Sequence, residues 1–412
     1  MLELETCIQQ AIKVTLPRAS INDLAASLPE LGRTLALEIG AQLLSRIQAA
    51  CFSEVEAGAR ALICARCGVV HCGPGTLLRR GSRPRRLKTS SGVLVFALHQ
   101  VTCRDCGRIW SPFAQWLGLA PRQRVCEELE RKLVECVTEL SYAKTCALGA
   151  AWLGGSVSPK TLHAAVQKRG AAVEFTPAPP SAVVLGDGTK VPAGKNPRGC
   201  DVWFSLQLLG REEVHGRTRV IKRIAGWAMG PSAWKEALPA GIATELILTD
   251  RESGVPEFLQ REHPEVRHGL CEWHLGRTLN QLLLLDKVAV QERKALVAQL
   301  SGILSRPLEK RAEAYTAFVA SLTQSRRARG MLNSAAAQVL YKTEAPERTT
   351  SVIEREMREV NRRADVGVRW SVPGIDHLLR LRHSKRINPD DFQRVWSEVQ
   401  VPTFSPVSLA RC

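Results

Sequence analysis

The sequence predicts a multidomain protein in which an α-helical N-terminus and two small modules precede an α/β mixed sheet with an all-α insertion. Three observations predict this organisation. Two Cys-x2-Cys pairs enclose an arginine-rich stretch, a proline-rich run follows at Thr176-Pro-Ala-Pro-Pro-Ser181, and beyond it buried-strand patterns alternate with helical ones. With 412 residues and 45% hydrophobic content, the chain is long enough for two or three domains.

The first predicted segment, residues 1–60, is helical. Leu35, Ile39, Leu43 and Ile47 recur at helical spacing. The N-terminus lacks the basic start and apolar core of a signal peptide, and no apolar run approaches the length of a membrane span. We therefore expect a cytoplasmic protein whose cysteines stay reduced.

Residues 61–112 are interpreted as a zinc ribbon. Cys64 and Cys67 form one close pair, and Cys103 and Cys106 form the other. Four thiolates in two such pairs are what tetrahedral Zn²⁺ requires, and the intervening chain returns as a hairpin whose second strand leads into Cys103. The alternative is a set of unrelated buried thiols, which two Cys-x2-Cys spacings make improbable.

Basic residues are concentrated between the two cysteine pairs. We expect them to project from the hairpin tip and bind DNA phosphates, because the formal charge of +17 and the pI near 9.6 suit a polyanionic partner. A generically basic surface is the alternative. The residues are Arg79, Arg80, Arg83, Arg85, Arg86 and Lys88.

Residues 121–172 have the pattern of a helix-turn-helix, followed by a linker at 173–181. One predicted helix spans Arg124 to Leu140, and a second runs from Tyr142 to Leu153 and stops at Gly154-Gly155. A third begins with Ser158 as N-cap and Pro159 in the first turn. An ordinary helical hairpin has the same pattern. The side chains expected in the DNA major groove are Lys160, His163, Gln167 and Lys168.

The predicted mixed sheet is divided by the helical insertion. Its first part spans residues 182–275, the insertion spans 276–345, the last part spans 346–390, and a tail covers 391–412. Two apolar strand patterns each end near an aspartate, at Asp187 and Asp250, and Glu354 lies on a later predicted helix.

These three acids are the expected catalytic site. Two aspartates from one sheet and a glutamate from a helix provide the oxygen ligands that a pair of Mg²⁺ (or Mn²⁺) ions needs for phosphoryl transfer. Converging carboxylates repel one another unless a cation compensates them. Neighbouring acids remain substitutes, namely Asp201, Glu252, Glu356 and Glu359, with Glu356 the nearest rival of Glu354.

In this order, the motifs resemble bacterial insertion-sequence transposases of the DDE class, on the Mutator-like side. Proteins of this family have an N-terminal zinc ribbon and helix-turn-helix before an RNase H-like catalytic domain. The resemblance covers roughly residues 60–385 and rests on Cys64-x2-Cys67, Cys103-x2-Cys106, Asp187-Gly188-Thr189, Leu248-Thr249-Asp250, Cys271-x2-His274 and Ser351-x2-Glu354 with the downstream Arg362 and Trp370. In many relatives the last motif reads Asn-x2-Glu, so Ser351 departs from that pattern.

The resemblance implies a DNA transposase that binds terminal inverted repeats and performs Mg²⁺-dependent cleavage and strand transfer on double-stranded DNA. It further implies association with the bacterial nucleoid and a homodimer or higher oligomer on DNA. The alternative is a catalytically silent DNA-binding regulator derived from a transposase. Cys271 and His274 are interpreted as structural, with metal binding the second choice because two ligands are too few for a closed zinc site.

Two tryptophans near these motifs, Trp273 and Trp370, are expected to be buried in the core. Stacking on an unpaired DNA base is the alternative for both.

Overall fold

A computed structural model describes residues 21–239, 241–341 and 347–396 of the chain. These residues mix helices with strands and divide into two compact units. The first contains the described chain up to Ala165 together with Trp396, and the second spans Val166–Val395. The first 20 residues of the predicted helical N-terminus and residues 397–412 of the predicted tail lie outside the described part. Within that part, no helix combines the length and apolar character needed to cross a bilayer.

The first unit contains two small antiparallel sheets and several helices, of which α5 continues into the second unit. Its elements are α1 (Ile21–Glu56), β1 (Leu62–Ile63), β2 (Val70–His71), β3 (Leu77–Thr89), β4 (Gly92–Cys103), β5 (Ile109–Trp110), α2 (Pro112–Trp116), α3 (Glu127–Val137), α4 (Tyr142–Trp152) and α5 (Pro159–Ala171).

The long hairpin of β3 and β4 is anchored to α1 by one side-chain amide. Gln48 donates from Nε2 to the carbonyl oxygen of Ala97 at 3.0 Å, and its Oε1 accepts from the N–H of His99 at 2.9 Å. Because this amide satisfies two backbone groups of β4, it fixes the helix against the strand.

Three helices are present where the helix-turn-helix is predicted. Ser158 Oγ accepts from the N–H of Thr161 at 3.2 Å, as expected for an N-cap before Pro159. Gly155 is required before this helix, since a Cβ atom there would lie 2.5 Å from the carbonyl oxygen of Thr89.

The second unit contains one five-stranded sheet and nine described helices besides the end of α5. Its elements are β6 (Ser181–Val191), β7 (Cys200–Val214), β8 (Arg217–Met229), α6 (Trp234–Ala237), β9 (Thr244–Thr249), α7 (Val255–Glu262), β10 (Arg267–Leu270), α8 (Glu272–Leu285), α9 (Val290–Leu304), α10 (Leu308–Ser321), α11 (Arg326–Val339), α12 (Ser351–Ala364), α13 (Val372–Ile387) and α14 (Pro389–Arg394).

The strand order of this sheet is β10-β9-β6-β7-β8. β6 and β9 pair in parallel, as do β9 and β10, whereas β7 is antiparallel to both of its neighbours. β6, β7 and β8 therefore form an antiparallel meander. The prediction that Asp187 ends its strand is wrong, because the pairing of β6 with β7 continues to Val191, opposite Cys200.

The two faces of β6 contact different parts of the unit. Val184 and Trp203 pack with Trp234 and Phe258 in one apolar cluster on the side of α6 and α7. Successive strand residues point to opposite faces, so odd-numbered residues of β6 face the other side, where Thr189 bonds to Asn361 of α12. The predicted insertion, α8 to α11, has its own apolar core.

Residue 188 must be glycine because the indole ring of Trp203 leaves no room for a side chain there. A Cβ atom at residue 188 would lie 2.1 Å from Cδ1 of Trp203, its cross-strand partner on β7. We expect Gly188→Ala to lower the free energy of unfolding by about 1–3 kcal/mol, the usual cost of overpacking. Gly302→Ala is the matched control, since Gly302 lies in α9 with no atom near its would-be Cβ.

The control should be neutral or stabilising by up to about 1 kcal/mol, because alanine favours a helix over glycine. Urea unfolding followed by circular dichroism measures both variants. Equal stability of Gly188→Ala and the unmodified protein would contradict this account of the strand.

Candidate active site and metal centre

The four predicted zinc ligands form one cluster. The Sγ atoms of Cys64 and Cys106 lie 3.7 Å apart, those of Cys67 and Cys103 lie 3.6 Å apart, and all four are within 4.8 Å of one another. Sulfur atoms at the corners of a tetrahedral zinc site, with Zn–S bonds near 2.3 Å, are separated by about 3.8 Å. The cluster could therefore bind zinc.

The backbone around the two pairs has the same geometry. After each pair comes a glycine with positive φ, Gly68 at 72° and Gly107 at 69°, whose N–H donates to the carbonyl oxygen of the first cysteine. This turn directs backbone N–H groups at the sulfur, and those of Cys67 and Arg66 lower the pKa of the Cys64 thiol to about 6. In contrast, burial raises the pKa of the Cys103 thiol, and burial together with hydrogen bonds among the thiols raises the pKa of Cys67. A thiolate is the form that binds metal.

Asp187 and Asp250 are neighbours because their strands pair in parallel. Gly186 is the register partner of Thr249, so the next residue on each strand is one of the two aspartates. Leu270 continues the same row on β10, opposite Thr249, and the N–H of Cys271 donates to the carbonyl oxygen of Thr249 at 2.8 Å. Three strands thus deliver side chains to one line across the sheet.

Glu354 reaches the same site from the first turn of α12. Its Oε1 accepts a hydrogen bond from Thr350 Oγ1 at 3.1 Å and lies 3.9 Å from His274 Nδ1. One turn beyond the middle of this helix, Asn361 exchanges hydrogen bonds with Thr189 of β6 at 3.0 and 3.2 Å. The helix is therefore held on the strand that carries Asp187.

The electrostatics of the site follow from burial of like charges. Burial first, and then the neighbouring Asp250 and Glu354, raise the pKa of Asp187 to about 7, despite a 2.8 Å hydrogen bond from the Gly188 N–H and the nearby His274. Burial likewise raises the pKa of Asp250, with His274 opposing the shift. The site therefore disfavours two ionised carboxylates unless a cation is bound.

One oxygen of this site lacks a protein partner. Asp250 Oδ1 is buried and accepts no hydrogen bond from the residues that the structure describes. A buried carboxylate oxygen without a donor is costly, and a divalent cation satisfies it. The donor chemistry therefore suits a divalent cation beside Asp187 and Asp250, whereas the group of ligand atoms within 4.8 Å that includes Glu354 is formed with Cys271 and His274.

Cys271 and His274 lie beside these acids rather than apart from them. Cys271 Sγ accepts from the N–H of Thr350 at 3.3 Å, and His274 Nδ1 lies 3.3 Å from Thr350 Oγ1. Candidate ligand atoms of Cys271, His274 and Glu354 are within 4.8 Å of one another. The geometry suits the structural interpretation and also supplies the third ligand that the sequence lacked for a metal site.

Thr350 is the residue of this site that the sequence analysis missed. It contacts Cys271, His274 and Glu354, and it is fully buried. Its place immediately before Ser351, at the start of the helix that bears the third acid, was the available signal.

The acids considered as substitutes have other partners. Glu356 is buried against Lys222 at 2.8 Å and Arg386 at 3.5 Å. Glu359 binds Arg382 and Arg362, Asp201 binds Lys190, and Glu252 accepts from Trp203 Nε1, at 2.5–2.8 Å. Each of these carboxylates therefore has a cationic or indole N–H partner, although Glu356 Oε2, like Asp250 Oδ1, is buried without a hydrogen bond from the described residues.

The basic side chains between the cysteine pairs lie along β3, so the prediction that they project from the hairpin tip is wrong. The turn itself is Ser90-Ser91. Arg85 is half-buried and donates to the carbonyl oxygens of Ala120 and Gln123, and Lys88 donates to that of Ser156. The exposed side chains are those of Arg79, Arg80, Arg83 and Arg86. Of these, Arg79 binds Glu56 and Arg80 binds Thr102.

The side chains predicted for the DNA major groove differ in availability. Lys160, His163 and Lys168 are exposed on α5, with the His163 ring against Tyr142. Gln167 is already engaged, since its Oε1 lies 2.8 Å from His377 Nδ1 and its Nε2 donates to Gly374. Its amide therefore packs against α13 and is not directed outward.

Trp273 is 53% exposed, so the expectation that it is buried is wrong. Trp370 is half-buried, and its Nε1 donates to the carbonyl oxygen of Ala364 at 2.9 Å.

Comparison with known proteins assigns no family to the chain. No family model matches the sequence, and no curated protein matches it.

The cysteine cluster should hold about one zinc ion per chain. Replacing Cys103 and Cys106 by serine removes two of four thiolates, so we expect loss of the ion and unfolding of the hairpin module. The matched control replaces Cys136 and Cys146, which lie outside the cluster. Elemental analysis of the purified proteins measures zinc; a control that loses zinc, or a Cys103/Cys106 variant that keeps it, would contradict the assignment.

The acid site predicts a pH-dependent stability. Because Asp187 has a pKa of about 7 when folded and 3.8 ordinarily, the folded protein binds more protons than the unfolded chain between these values. Stability from this group is therefore lost as the pH rises from about 4 to about 7. In Mg²⁺-free buffer, Asp187→Asn should raise the thermal midpoint relative to the unmodified protein, and more so at pH 8 than at pH 5.

Asp201→Asn is the control, since that acid is half-buried on the adjacent strand, is bound to Lys190 and is not a proposed ligand. Adding Mg²⁺ at pH 8 should raise the midpoint of the unmodified protein and not that of Asp187→Asn, because binding requires the ionised carboxylates. An Asp187→Asn effect of equal size at both pH values would refute this view of the site.

Proposed function

We propose that this protein is a DNA transposase of the DDE type, which cuts and joins DNA strands with Mg²⁺ held by Asp187, Asp250 and Glu354. The observation that carries the proposal is the proximity of these acids, two from adjacent parallel strands and one from α12, together with a buried oxygen of Asp250 that lacks a partner among the described residues. Burial and the neighbouring acids raise the pKa of both aspartates. Such a carboxylate cluster suits phosphoryl transfer, for which bound divalent cations would neutralise the developing charge.

The sheet supports an RNase H-like core for this chemistry. Three strands deliver Asp187, Asp250 and Cys271 to one line, and the single antiparallel member, β7, lies on the far side of β6. In open α/β sheets, functional side chains gather where parallel strands end. The helices α8 to α11 interrupt this core as a separate insertion with its own apolar cluster.

Each residue of the site has a definite task in the proposed mechanism. Asp187 and Asp250 would hold the cation, and the hydrogen bond from Thr350 fixes the carboxylate of Glu354, which would complete the ligand set. The chemistry that Mg²⁺ supplies when bound is activation of a water and neutralisation of phosphate charge. His274 lies beside Glu354, and its hydrogen bond with Cys271 and the nearby acids raise its pKa despite burial.

The surface charge and the first unit support double-stranded DNA as the substrate. Exposed arginines such as Arg83 and Arg86 line β3, and Lys160 and Lys168 are exposed on α5. The interpretation of the cysteine module as a zinc ribbon and of α3 to α5 as a helix-turn-helix gives these residues a role in positioning DNA. A homodimer or larger assembly in the bacterial cytoplasm would process two DNA ends together.

The decisive variants replace the proposed ligands isosterically. Asp187→Asn, Asp250→Asn and Glu354→Gln should each reduce Mg²⁺-dependent nicking by orders of magnitude, because cation positioning supplies most of the rate. The substrate is duplex DNA carrying the sequence that flanks the coding region. Asp201→Asn, which removes an acid bound to Lys190, should cut almost normally.

Binding measured by gel shift separates this proposal from the alternative. The three ligand variants should still bind the duplex, since the basic surface is intact. Specific binding without any nicking by the unmodified protein would instead identify a silent DNA-binding regulator, and nicking retained by Asp250→Asn would refute the catalytic assignment.

A further inference from the structure

A cavity of about 650 Å³ lies between α8 and α9, beside the acid site. At two points, a residue that lines the cavity directly precedes a residue of the acid site in the sequence. Trp273 lines the cavity and precedes His274, and Thr349 lines the cavity and precedes Thr350. A ligand in this cavity would therefore lie close to a DNA strand held at the carboxylates.

The cavity is a cleft between two helix faces. Trp273, Gly276 and Arg277 share one face of α8, at spacings of three and four residues. Arg293, Lys294 and Val297 share the facing side of α9 at the same spacings. The helices approach closely at Gly276, where a Cβ atom would lie 3.5 Å from Val297 Cγ1.

An aromatic ring and cations are exposed together in this cleft. The Trp273 ring is 53% exposed, and the Arg277 guanidinium lies 5.7 Å from its centroid. Within the described residues, Arg293 Nε is buried without a hydrogen-bond partner, and no acid pairs with Lys294. The one acid of the lining, Glu272, is bound to Arg348 at 3.1 Å.

These features match a nucleotide better than a neutral apolar ligand. The apolar walls accept the flat face of a base, on which indole and guanidinium planes stack. The uncompensated cations of α9 complement a phosphate. A protein segment would complement the apolar walls but not the cations.

We propose that this cleft binds an unstacked base of the DNA strand processed at the acid site. Trp273 stacks on the base, and Arg293 and Lys294 contact the adjacent phosphates. The inference rests on the proposed function, because it takes its ligand from the same DNA. It adds a site that holds the strand end open beside the carboxylates, on a helix that begins at the acid site.

The test compares DNA ends that differ only in their bases. Duplexes with a short single-stranded end, of either polarity, are bound by the full-length protein without Mg²⁺, with each unpaired nucleotide either intact or abasic. The abasic end keeps every phosphate. We expect the unmodified protein to bind the intact end about 5- to 150-fold more tightly, the equivalent of about 1–3 kcal/mol of stacking per base.

Trp273→Leu should abolish this preference, and Trp273→Phe, which keeps an aromatic face, should retain most of it. Lys294→Gln should weaken binding to intact and abasic ends equally and reduce the salt dependence. Lys310→Gln, on α10 outside the cleft, is its matched control and should change neither.

A second pair of variants changes the free volume of the cleft at Gly276 and leaves Trp273 in place. Gly276→Ala leaves the cleft open, since its Cβ makes only ordinary contact with Val297. Gly276→Phe fills it and should remove the preference for the intact end. Thermal midpoints of both variants identify any failure to fold, and the alanine variant keeps the comparison valid.

The outcomes separate this inference from the function on which it rests. If the unmodified protein binds and nicks DNA but does not distinguish intact from abasic ends, the cleft proposal is overturned and the transposase proposal stands. If it binds no DNA, both fail. If Trp273→Leu changes only the self-association measured by light scattering, the cleft is a protein interface and the proposal is also overturned.

Discussion

The structure of the proposed catalytic site depends on the parallel pairing of β6 and β9. This register fixes Gly186 beside Thr249 and therefore brings two buried carboxylates, Asp187 and Asp250, to adjacent positions. Burial and mutual repulsion make that arrangement unfavourable for a folded protein without a counterion. The same arrangement is what a divalent cation requires, so the local instability and the proposed activity have one origin.

Contacts on both faces of β6 stabilise this register. On one face of β6, Trp203 packs so closely that residues 186 and 188 must be glycine. On the other face, the Thr189–Asn361 hydrogen bonds hold α12 and hence Glu354. The short Asp-Gly-Thr motif therefore has three separate tasks, because its aspartate is a proposed ligand, its glycine accommodates an indole, and its threonine anchors a helix.

Much of this could be predicted from the sequence where the signal is local. Close cysteine pairs, apolar strand runs and the Ser158-Pro159 helix start each depend on neighbouring residues, and the corresponding elements are present. Contacts between distant residues could not be predicted from such patterns. The sequence alone does not reveal that Gln167 bonds to His377 or that Arg85 donates to the carbonyl oxygen of Gln123. Nor does it reveal that Thr350 contacts three other residues of the site.

The exposure of Trp273 is a further example, and it has functional weight. A tryptophan beside a buried cysteine is expected in the core, yet α8 turns its indole toward a cleft while Cys271 remains buried. The helix α8 thus begins at the acid site and, within its first turn, presents the exposed ring of Trp273. This connection gives the insertion, which has its own core, a direct route to influence the proposed chemistry.

Anomalous diffraction from crystals grown with Mn²⁺ tests the central claim most directly, because it locates the cation independently of DNA and of activity. The account predicts a manganese peak within ligand distance of carboxylate oxygens of both Asp187 and Asp250, with Glu354 alongside, and loss of that peak in Asp250→Asn. Manganese bound only at other acids, or unchanged in the Asp250→Asn crystal, would contradict it.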